Sequence, residues 1–283
     1  MTNGRVARRR LAVIVCGTVV AMLGLHACAE VGLAPDVPAA IELSALPSPS
    51  VVIGDTLRDI AGVVKPVQAI VRNVSGDAIV DAPVRYLYAD FNRDSALAVD
   101  TVTGIVRALK ASKGTGGDAR LAARVSTSLQ VLKSLIVTTR PDSADREGQS
   151  ALGLFTTTLP DTGKTGANAN TSKALSMVVR HIESPTVVTT VNGWPVRFEL
   201  LAPANPNNDT TLSVWLVDDQ GRASVLDTTD GSGVAGRKVR VRAAQYPTGT
   251  SIDSVVVRAI VTYKGVSLKG APVRIALGVK RGS

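Results

Sequence analysis

The chain has 283 residues, with 32 Lys and Arg against 23 Asp and Glu, a formal charge of +9 and an aromatic content of only 3%. Because so few rings leave few platforms for stacking nucleobases, the composition argues against a nucleic-acid partner despite the basic charge. Both cysteines and His26 lie in the first 28 residues, so the rest of the chain has one histidine and no cysteine, too few for the usual zinc ligand sets, and we expect no cofactor.

The amino-terminal 28 residues have the layout of an export signal. Four arginines precede an apolar run over residues 11–25, and the sequence Leu25-His-Ala-Cys28 follows. This ending resembles the lipobox of bacterial lipoproteins, although His26 stands where that family usually has a small or aliphatic residue. The resemblance implies a signal peptide over 1–28, a lipid anchor on Cys28 and, since Ala29 rather than Asp follows, an outer-membrane or cell-surface location.

Two other fates of this segment remain open. Ala27-Cys28-Ala29 also fits ordinary cleavage before Glu30, which would release a soluble secreted protein. An uncleaved anchor is the other, but the run over 11–25 is shorter than the ~20 residues a span needs.

Export changes the charge and the cysteine content. Of the 32 basic residues, four precede Cys28, so 28 remain against 23 acidic ones and the charge falls to +5. Cys16 is lost on cleavage and Cys28 is acylated or removed, so we expect no disulfide. Roughly 255 residues suffice for two domains that bury apolar cores of their own.

An internal repeat points to two related β-units. Residues 76–86, GDAIVDAPVRY, align with residues 265–275, GVSLKGAPVRI, sharing Gly, Ala, Pro, Val and Arg. The pattern predicts strand, turn, strand, with Gly opening the turn and Pro83 or Pro272 starting the second strand.

Alternation of apolar and polar residues predicts an all-β fold. Ala119, Leu121 and Ala123 alternate with arginines, and residues 196–200 and 238–242 follow the same rule. Residues 212–217 are apolar on both faces, which is typical of a central strand. Short strands separated by turn residues favour two tandem β-sandwiches.

The segment 140–184 differs from its surroundings. Residues 140–150 are polar and rich in turn formers, and 151–159 and 172–182 are predicted strands that could form a β-hairpin. The predicted organisation is a signal peptide over 1–28, a linker over 29–38, a first domain over 39–139, a linker with a candidate hairpin over 140–184, and a second domain over 185–281.

Motifs in both domains resemble bacterial immunoglobulin-like families. Residues 51–57, 73–86, 96–109 and 114–125 resemble elements of the group-two family, the most specific being Ala96-Leu-Ala-Val-Asp100 followed by Thr103-Gly-Ile-Val-Arg-Ala-Leu109. More weakly, residues 217–222 and 229–235 resemble turns of the invasin-type group-one family. These resemblances imply tandem immunoglobulin-like sandwiches that serve as spacers or adhesive modules, with no catalytic residues.

Two sets of charged residues are candidate sites. Lys238, Arg240 and Arg242 would form a basic strip on one strand, suited to an anionic glycan, and a solvated sheet face is the alternative. Four aspartates near predicted turns offer oxygen ligands for calcium, with a role in shaping the turns as the alternative. These candidates are Asp218, Asp219, Asp227 and Asp230.

The sequence therefore favours a non-enzymatic envelope lipoprotein with a structural or adhesive role. The partners we expect are a membrane, through the lipid anchor, and an anionic glycan or envelope protein. A carbohydrate- or peptide-binding surface module is the first alternative, and a divergent secreted enzyme is the second.

Overall fold

The computed structural model describes residues 37–147, 152–157, 170–242 and 252–281, with only the backbone described for 152–157 and at several strand ends. The predicted all-β fold is confirmed, because this part of the chain contains β-strands and a single 3₁₀ turn (Thr115–Gly117) but no α-helix. The strands are β1 (Ala40–Leu43), β2 (Ser50–Val52), β3 (Ala69–Arg72), β4 (Arg85–Tyr88), β5 (Leu97–Val99), β6 (Val106–Ala108), β7 (Asp118–Arg124), β8 (Gln130–Thr138), β9 (Ser143–Arg146), β10 (Leu152–Thr157), β11 (Leu175–Ser184), β12 (Val187–Thr190), β13 (Pro195–Ala202), β14 (Val214–Val217), β15 (Leu226–Thr228), β16 (Val234–Val241), β17 (Ile252–Ile260), β18 (Thr262–Tyr263), β19 (Val266–Ser267) and β20 (Val273–Arg281).

The chain divides into a small and a large compact unit. The described part of the small unit is 37–40 and 71–81, and the described part of the large unit is 41–70 and the described residues from 82 to 281. In the small unit, Asn73 closes a turn, because its Oδ1 accepts hydrogen bonds from the N–H groups of Ser75 and Asp77. Gly76 has a φ of +87°, the left-handed conformation that the predicted turn requires.

Within the large unit, a first hydrophobic core lies beneath a four-stranded sheet. The sheet has the order β2-β8-β7-β4, with β2 parallel to β8 and the other pairs antiparallel. Ala119 and Leu121 of β7 belong to this core and Ala123 is buried, while Arg120 and Arg124 are exposed as the alternation predicts; Ala122, on the face of the arginines, is buried as well. The pair β5–β6 covers this core through Leu97 and Val106.

A second hydrophobic core fills the space between two larger sheets. One sheet has the order β10-β20-β17-β13-β15, and the other β12-β11-β16-β14, with β9 also paired to β11. Val196, Phe198 and Leu200 of β13 are all at most 4% exposed, which confirms their predicted inward direction. The central-strand prediction holds for β14, which is buried along its whole length, whereas Leu212 lies outside the strand and is 44% exposed.

The hairpin predicted within 140–184 does not form. Leu152 to Thr157 pair in parallel with β20, whereas β11 pairs with β9, β12 and β16 in the other sheet. The polar segment predicted as a linker instead contributes β9, whose Ala144 packs into the second core. A polar strand is stable there because it hydrogen-bonds to β11 and buries only one side chain.

The two copies of the repeat share local structure. Gly265 has a φ of +77°, close to that of Gly76, and both open turns as predicted. The following strands begin at Arg85 and Val273, just after the prolines, where a missing N–H removes no ladder hydrogen bond.

Candidate functional site

Side chains from both cores meet at a junction within the large unit. The junction joins the turn over 53–65, which follows β2, to the β18–β19 turn, which follows β17. Val52, the last residue of β2, packs into the second hydrophobic core although Val51 belongs to the first. The backbone of β2 is therefore held by apolar contacts on both sides.

Asp55 is the centre of the polar contacts at this junction. The Tyr263 hydroxyl donates to its Oδ2 at 2.9 Å, and Lys264 Nζ lies 3.4 Å from the same atom. Arg58 donates to both carboxylate oxygens at 3.1 Å, and the Thr56 N–H donates to Oδ1. Burial alone would raise the pKa of Asp55, but these hydrogen bonds outweigh it and lower the pKa to about 2.

Close backbone approach reinforces the junction. Gly62 has a φ of +87°, and a Cβ built on it would lie 2.5 Å from the carbonyl carbon of Lys264 and closer still to the Gly265 nitrogen. Only glycine fits at such a contact. Nearby, the Asn192 amide donates to the Gly116 carbonyl at 2.9 Å. This adds a second link between the first sandwich, formed by the strands around the first hydrophobic core, and the second sandwich, formed by the two larger sheets around the second core.

A cavity of about 240 Å³ opens at the same junction. Its walls include Trp194 and Tyr263, whose rings meet edge to face with centroids 5.9 Å apart. Thr229 fixes the Trp194 backbone, because its hydroxyl oxygen accepts from the Trp194 N–H at 2.8 Å and its hydroxyl donates to the Val191 carbonyl. The charged groups of Asp55, Arg58 and Lys264 also line the cavity.

Two of the three residues of the basic strip predicted at the end of β16 contact an aromatic ring. The guanidinium carbons of Arg240 and Arg242 lie 5.8 Å and 5.6 Å from the centroid of Trp215 on neighbouring β14, within cation–π distance. Lys238 instead forms an ion pair with Asp219 at 3.1 Å. The strip is thus two arginines on a tryptophan, with a lysine that is already paired.

The calcium candidates occupy separate local environments. Asp218 and Asp230 each accept backbone N–H bonds that close their own turns, as in the turn-forming interpretation, and Arg222 pairs with Asp218. Asp227 pairs with Arg237 at 2.9 Å. Among the described residues, no three carboxylate, histidine or cysteine groups gather as metal ligands would.

His181 is held by Asp142. Its Nδ1 lies 2.6 Å from Asp142 Oδ2, which also accepts from the Ile182 N–H. The pKa of Asp142 is lowered, because the backbone bond and the neighbouring His181 and Arg140 outweigh the effect of burial. The histidine therefore has the environment of a structural residue.

Several predicted features lie outside the described residues. These are the signal peptide over 1–28 with the lipidation site Cys28, most of the linker over 29–38, and residues 148–151 and 158–169 of the segment over 140–184. Within the described residues, no helix is both long enough and apolar enough to span a bilayer.

Sequence reasoning did not find the junction. Asp55 lies in a motif interpreted as a family turn, and its partners Tyr263 and Lys264 are more than 200 residues away. The only local signal in the sequence is the pair Tyr263-Lys264, an aromatic and a basic residue directly before the second repeat copy.

Comparison with solved structures finds distant similarity to surface proteins. A crystal structure of the S-layer protein SbsC is 10% identical over 87% of this chain, with a TM-score of 0.28, and this chain spans 28% of it. Human protocadherin-24 EC1-2 is 12% identical, covering 87% of this chain and 100% of its own, with a TM-score of 0.27. The Yersinia pseudotuberculosis adhesin InvE is 13% identical over 84% of this chain and 58% of its own, with a TM-score of 0.30.

No protein-family model matches the sequence, and no curated protein matches it either. At identities of 9–13%, the similarity to the solved structures does not assign a function to this chain.

Proposed function

We propose that the protein is a non-enzymatic module of the bacterial cell envelope. In this proposal, lipid on Cys28 anchors the chain, and the two sandwiches form a stiff spacer with a structural or adhesive role. The observation that carries it is the junction, in which one carboxylate, that of Asp55, is held by Arg58 from the first sandwich and by Tyr263 from the second.

Stiffness follows from how the junction is built. A flexible linker between sandwiches would let each rotate independently, as is expected where interfaces are small and polar. Here Val52 is 5% exposed and packs in the second core, and Gly62 lies against the Gly265 backbone. Rotation at this point would expose apolar surface and break the hydrogen bond between Tyr263 and Asp55.

The ionisation of the junction carboxylate favours a structural role over acid–base chemistry. A general acid at neutral pH needs a raised carboxyl pKa. The pKa of Asp55 is lowered to about 2, because it accepts hydrogen bonds from Arg58, Thr56 and Tyr263 that outweigh the effect of burial. It therefore remains a fixed anion and serves as a bridge.

A distance measurement tests the stiffness. Spin labels are attached to cysteines replacing the exposed residues Thr127 and Ser232, one in each sandwich, in a chain whose own cysteines are changed to serine by Cys16→Ser and Cys28→Ser. Double electron–electron resonance should give one narrow distance distribution. A broad or multimodal distribution would rule out a stiff spacer.

Metabolic labelling tests the anchor. Cells expressing the full chain are supplied with a labelled fatty acid, and the chain is extracted by detergent phase partitioning. The label and the partitioning should be lost in Cys28→Ser and retained in Cys16→Ser, which removes the other cysteine. Label in both variants, or in neither, would contradict lipidation at Cys28.

The arginine–tryptophan arrangement supports a second role, contact with an anionic glycan. Arg240 and Arg242 are held on Trp215, so their guanidinium groups lose little freedom on binding an anion. Reversal of the charges of the strip, with Lys238→Glu, Arg240→Glu and Arg242→Glu, should abolish retention on an immobilised acidic polysaccharide at low salt. Unchanged retention would exclude this role for the strip.

A further inference from the structure

The cavity at the junction is small and partly apolar. Its volume of about 240 Å³ lies below the ~300–1,000 Å³ of pockets for drug-sized ligands, so it suits a molecule of about one ring. Apolar wall is provided by Val52, Pro195 and Ile260, together with the ring of Trp194. These surfaces favour a ligand with an apolar face.

The carboxylates of the cavity are already occupied by donors. Asp55 accepts from Arg58, Thr56 and Tyr263, as described above. Asp59 Oδ1 accepts from the N–H groups of Ala61 and Val63, and its Oδ2 lies 3.3 Å from Lys65 Nζ. The hydrogen bond from the Val63 N–H is the largest cause that lowers the pKa of Asp59. A ligand would therefore find little acceptor capacity on these groups.

The cations of the cavity retain donor capacity. Lys264 Nζ has three hydrogens and contacts the Asp55 carboxylate at a long 3.4 Å as well as the ring and hydroxyl of Tyr263, which leaves donor capacity for a ligand. Arg197, half exposed, engages Glu199 through its Nε at 3.3 Å. Its guanidinium carries further N–H donors beyond that atom. The site thus offers positive donors above an apolar wall, which is the complement of an organic anion.

We infer that this cavity binds a small organic carboxylate of about one ring, with its carboxylate against Lys264 and Arg197 and its ring against the Trp194 wall. A uronic acid of an acidic glycan and an aromatic acid share this chemistry. The site is separate from the Trp215 strip and does not depend on the lipid anchor or the spacer role.

The two tryptophans provide the assay. The chain has only Trp194 and Trp215, so the ¹⁵N spectrum of the full chain contains two indole signals, which Trp215→Phe assigns. Sodium galacturonate, sodium benzoate, sodium acetate and neutral galactose are titrated in turn. At least one of the two ring acids should shift the Trp194 signal saturably, and whichever binds more tightly identifies the source of the ligand.

Several results would overturn the inference. These are no saturable shift with either ring acid, equal binding of galactose, equal binding of acetate, or a shift confined to Trp215.

Matched variants locate the anion. Lys264→Asn removes the charge, and asparagine tolerates the φ of +52° at this position. We expect Lys264→Asn and Arg197→Gln each to weaken binding by about ten-fold or more, the scale of one charge-assisted hydrogen bond. Lys264→Arg should retain binding, and Lys238→Gln on the strip should leave it unchanged.

Loss of binding in Lys238→Gln, or full binding in the Lys264→Asn and Arg197→Gln double variant, would refute the assignment. An unchanged Trp215 signal shows that each variant is folded.

Discussion

Gly62 and Gly54 form a natural pair for testing the junction. Both have left-handed backbone, with φ of +87° and +81°, so alanine at either position costs a similar strain of about 1–2 kcal/mol. Their surroundings differ, because a Cβ on Gly54 would meet nothing within 4 Å, whereas one on Gly62 would overlap the backbone of Lys264 and Gly265. The difference between the two alanine variants therefore isolates the contact across the junction.

The steric overlap in Gly62→Ala can be relieved in two ways. If the junction holds, the strain adds about 1–3 kcal/mol of destabilisation beyond that of Gly54→Ala, the usual scale of overpacking. If it separates, the loss of stability is smaller but the two sandwiches become independent. Urea unfolding measures the loss of stability, and the width of the spin-label distance distribution between positions 127 and 232 measures the separation of the sandwiches. If the two variants behaved alike in both assays, the argument for a tightly packed junction would fail.

Substitutions at three further positions test other contacts in the fold. The Asn208 side-chain amide accepts from the Leu216 N–H and donates to the Leu216 carbonyl, so Asn208→Gly should lower the free energy of unfolding in urea by about 1–3 kcal/mol. Asn208→Ala should lower it by about 1 kcal/mol more, because the φ of +52° at this position strains alanine. Equal stability of the wild type and both variants would contradict this. The pKa of Asp55 is lowered from its ordinary value of 3.8 to about 2 in the folded chain, so the ionised carboxylate stabilises the fold. This contribution to the free energy of unfolding, about 1 kcal/mol after allowance for solvent screening, is present above pH 4 and is lost as the pH falls towards 2. Asp55→Asn should flatten the pH dependence of stability in that window, and an unchanged slope would exclude the bridge. Thr229→Val leaves the Trp194 N–H without its acceptor and should cost about 2–4 kcal/mol in thermal or urea unfolding, whereas Thr229→Ser should be close to wild type.

Local alternation predicted the strands that have one face in a core. Ala119 and Leu121 of β7 are buried while Arg120 is exposed, and Val196 and Phe198 of β13 are buried on either side of the exposed Arg197; only Ala122 of β7 is buried on the opposite face. The inward direction of such residues can be predicted from the sequence, because a buried position requires an apolar side chain whichever distant strand packs against it.

Pairing between distant segments could not be predicted in this way. The polar strand β9 has only Ala144 fully buried, so it carries no hydrophobic signal, and its position depends on hydrogen bonds to β11. Strand β10 joins β20 in parallel, a pairing between residues more than 120 positions apart. Alternation indicates which face of a strand is buried but does not identify its neighbour.

The candidate site was predicted only in part. The basic residues over 238–242 were recognised because they alternate with valines, and their binding of a glycan stays a prediction. The ring of Trp215 next to Arg240 and Arg242 belongs to a different strand, which this pattern does not indicate. Asp55 gave no signal, since an aspartate after Gly54 is ordinary turn chemistry. Its role is set by Tyr263, a contact that only the folded chain creates.

Comparison of the two repeat copies suggests how the junction is encoded. Aligning Gly76 with Gly265 places Val74 opposite Tyr263 and Ser75 opposite Lys264. Val74 is 51% exposed, whereas Tyr263 donates to Asp55 and Lys264 lines the cavity. Since both copies keep the glycine turn, the turn residues are free to differ without loss of the hairpin, and these two positions supply the junction.

Exchanging the residues before the repeat glycine between the two copies tests their part in the junction. Converting the second turn to the first with Tyr263→Val and Lys264→Ser should broaden the spin-label distance distribution, because the link to Asp55 is lost while the local hairpin remains. The opposite change in the first copy, Val74→Tyr with Ser75→Lys, should leave the distribution unchanged. If the first exchange kept a narrow distribution, the remaining contacts of Val52, of Gly62 with Gly265 and of Asn192 with Gly116 would suffice to hold the sandwiches, and the side chains of the second copy's turn would have no special part in the junction.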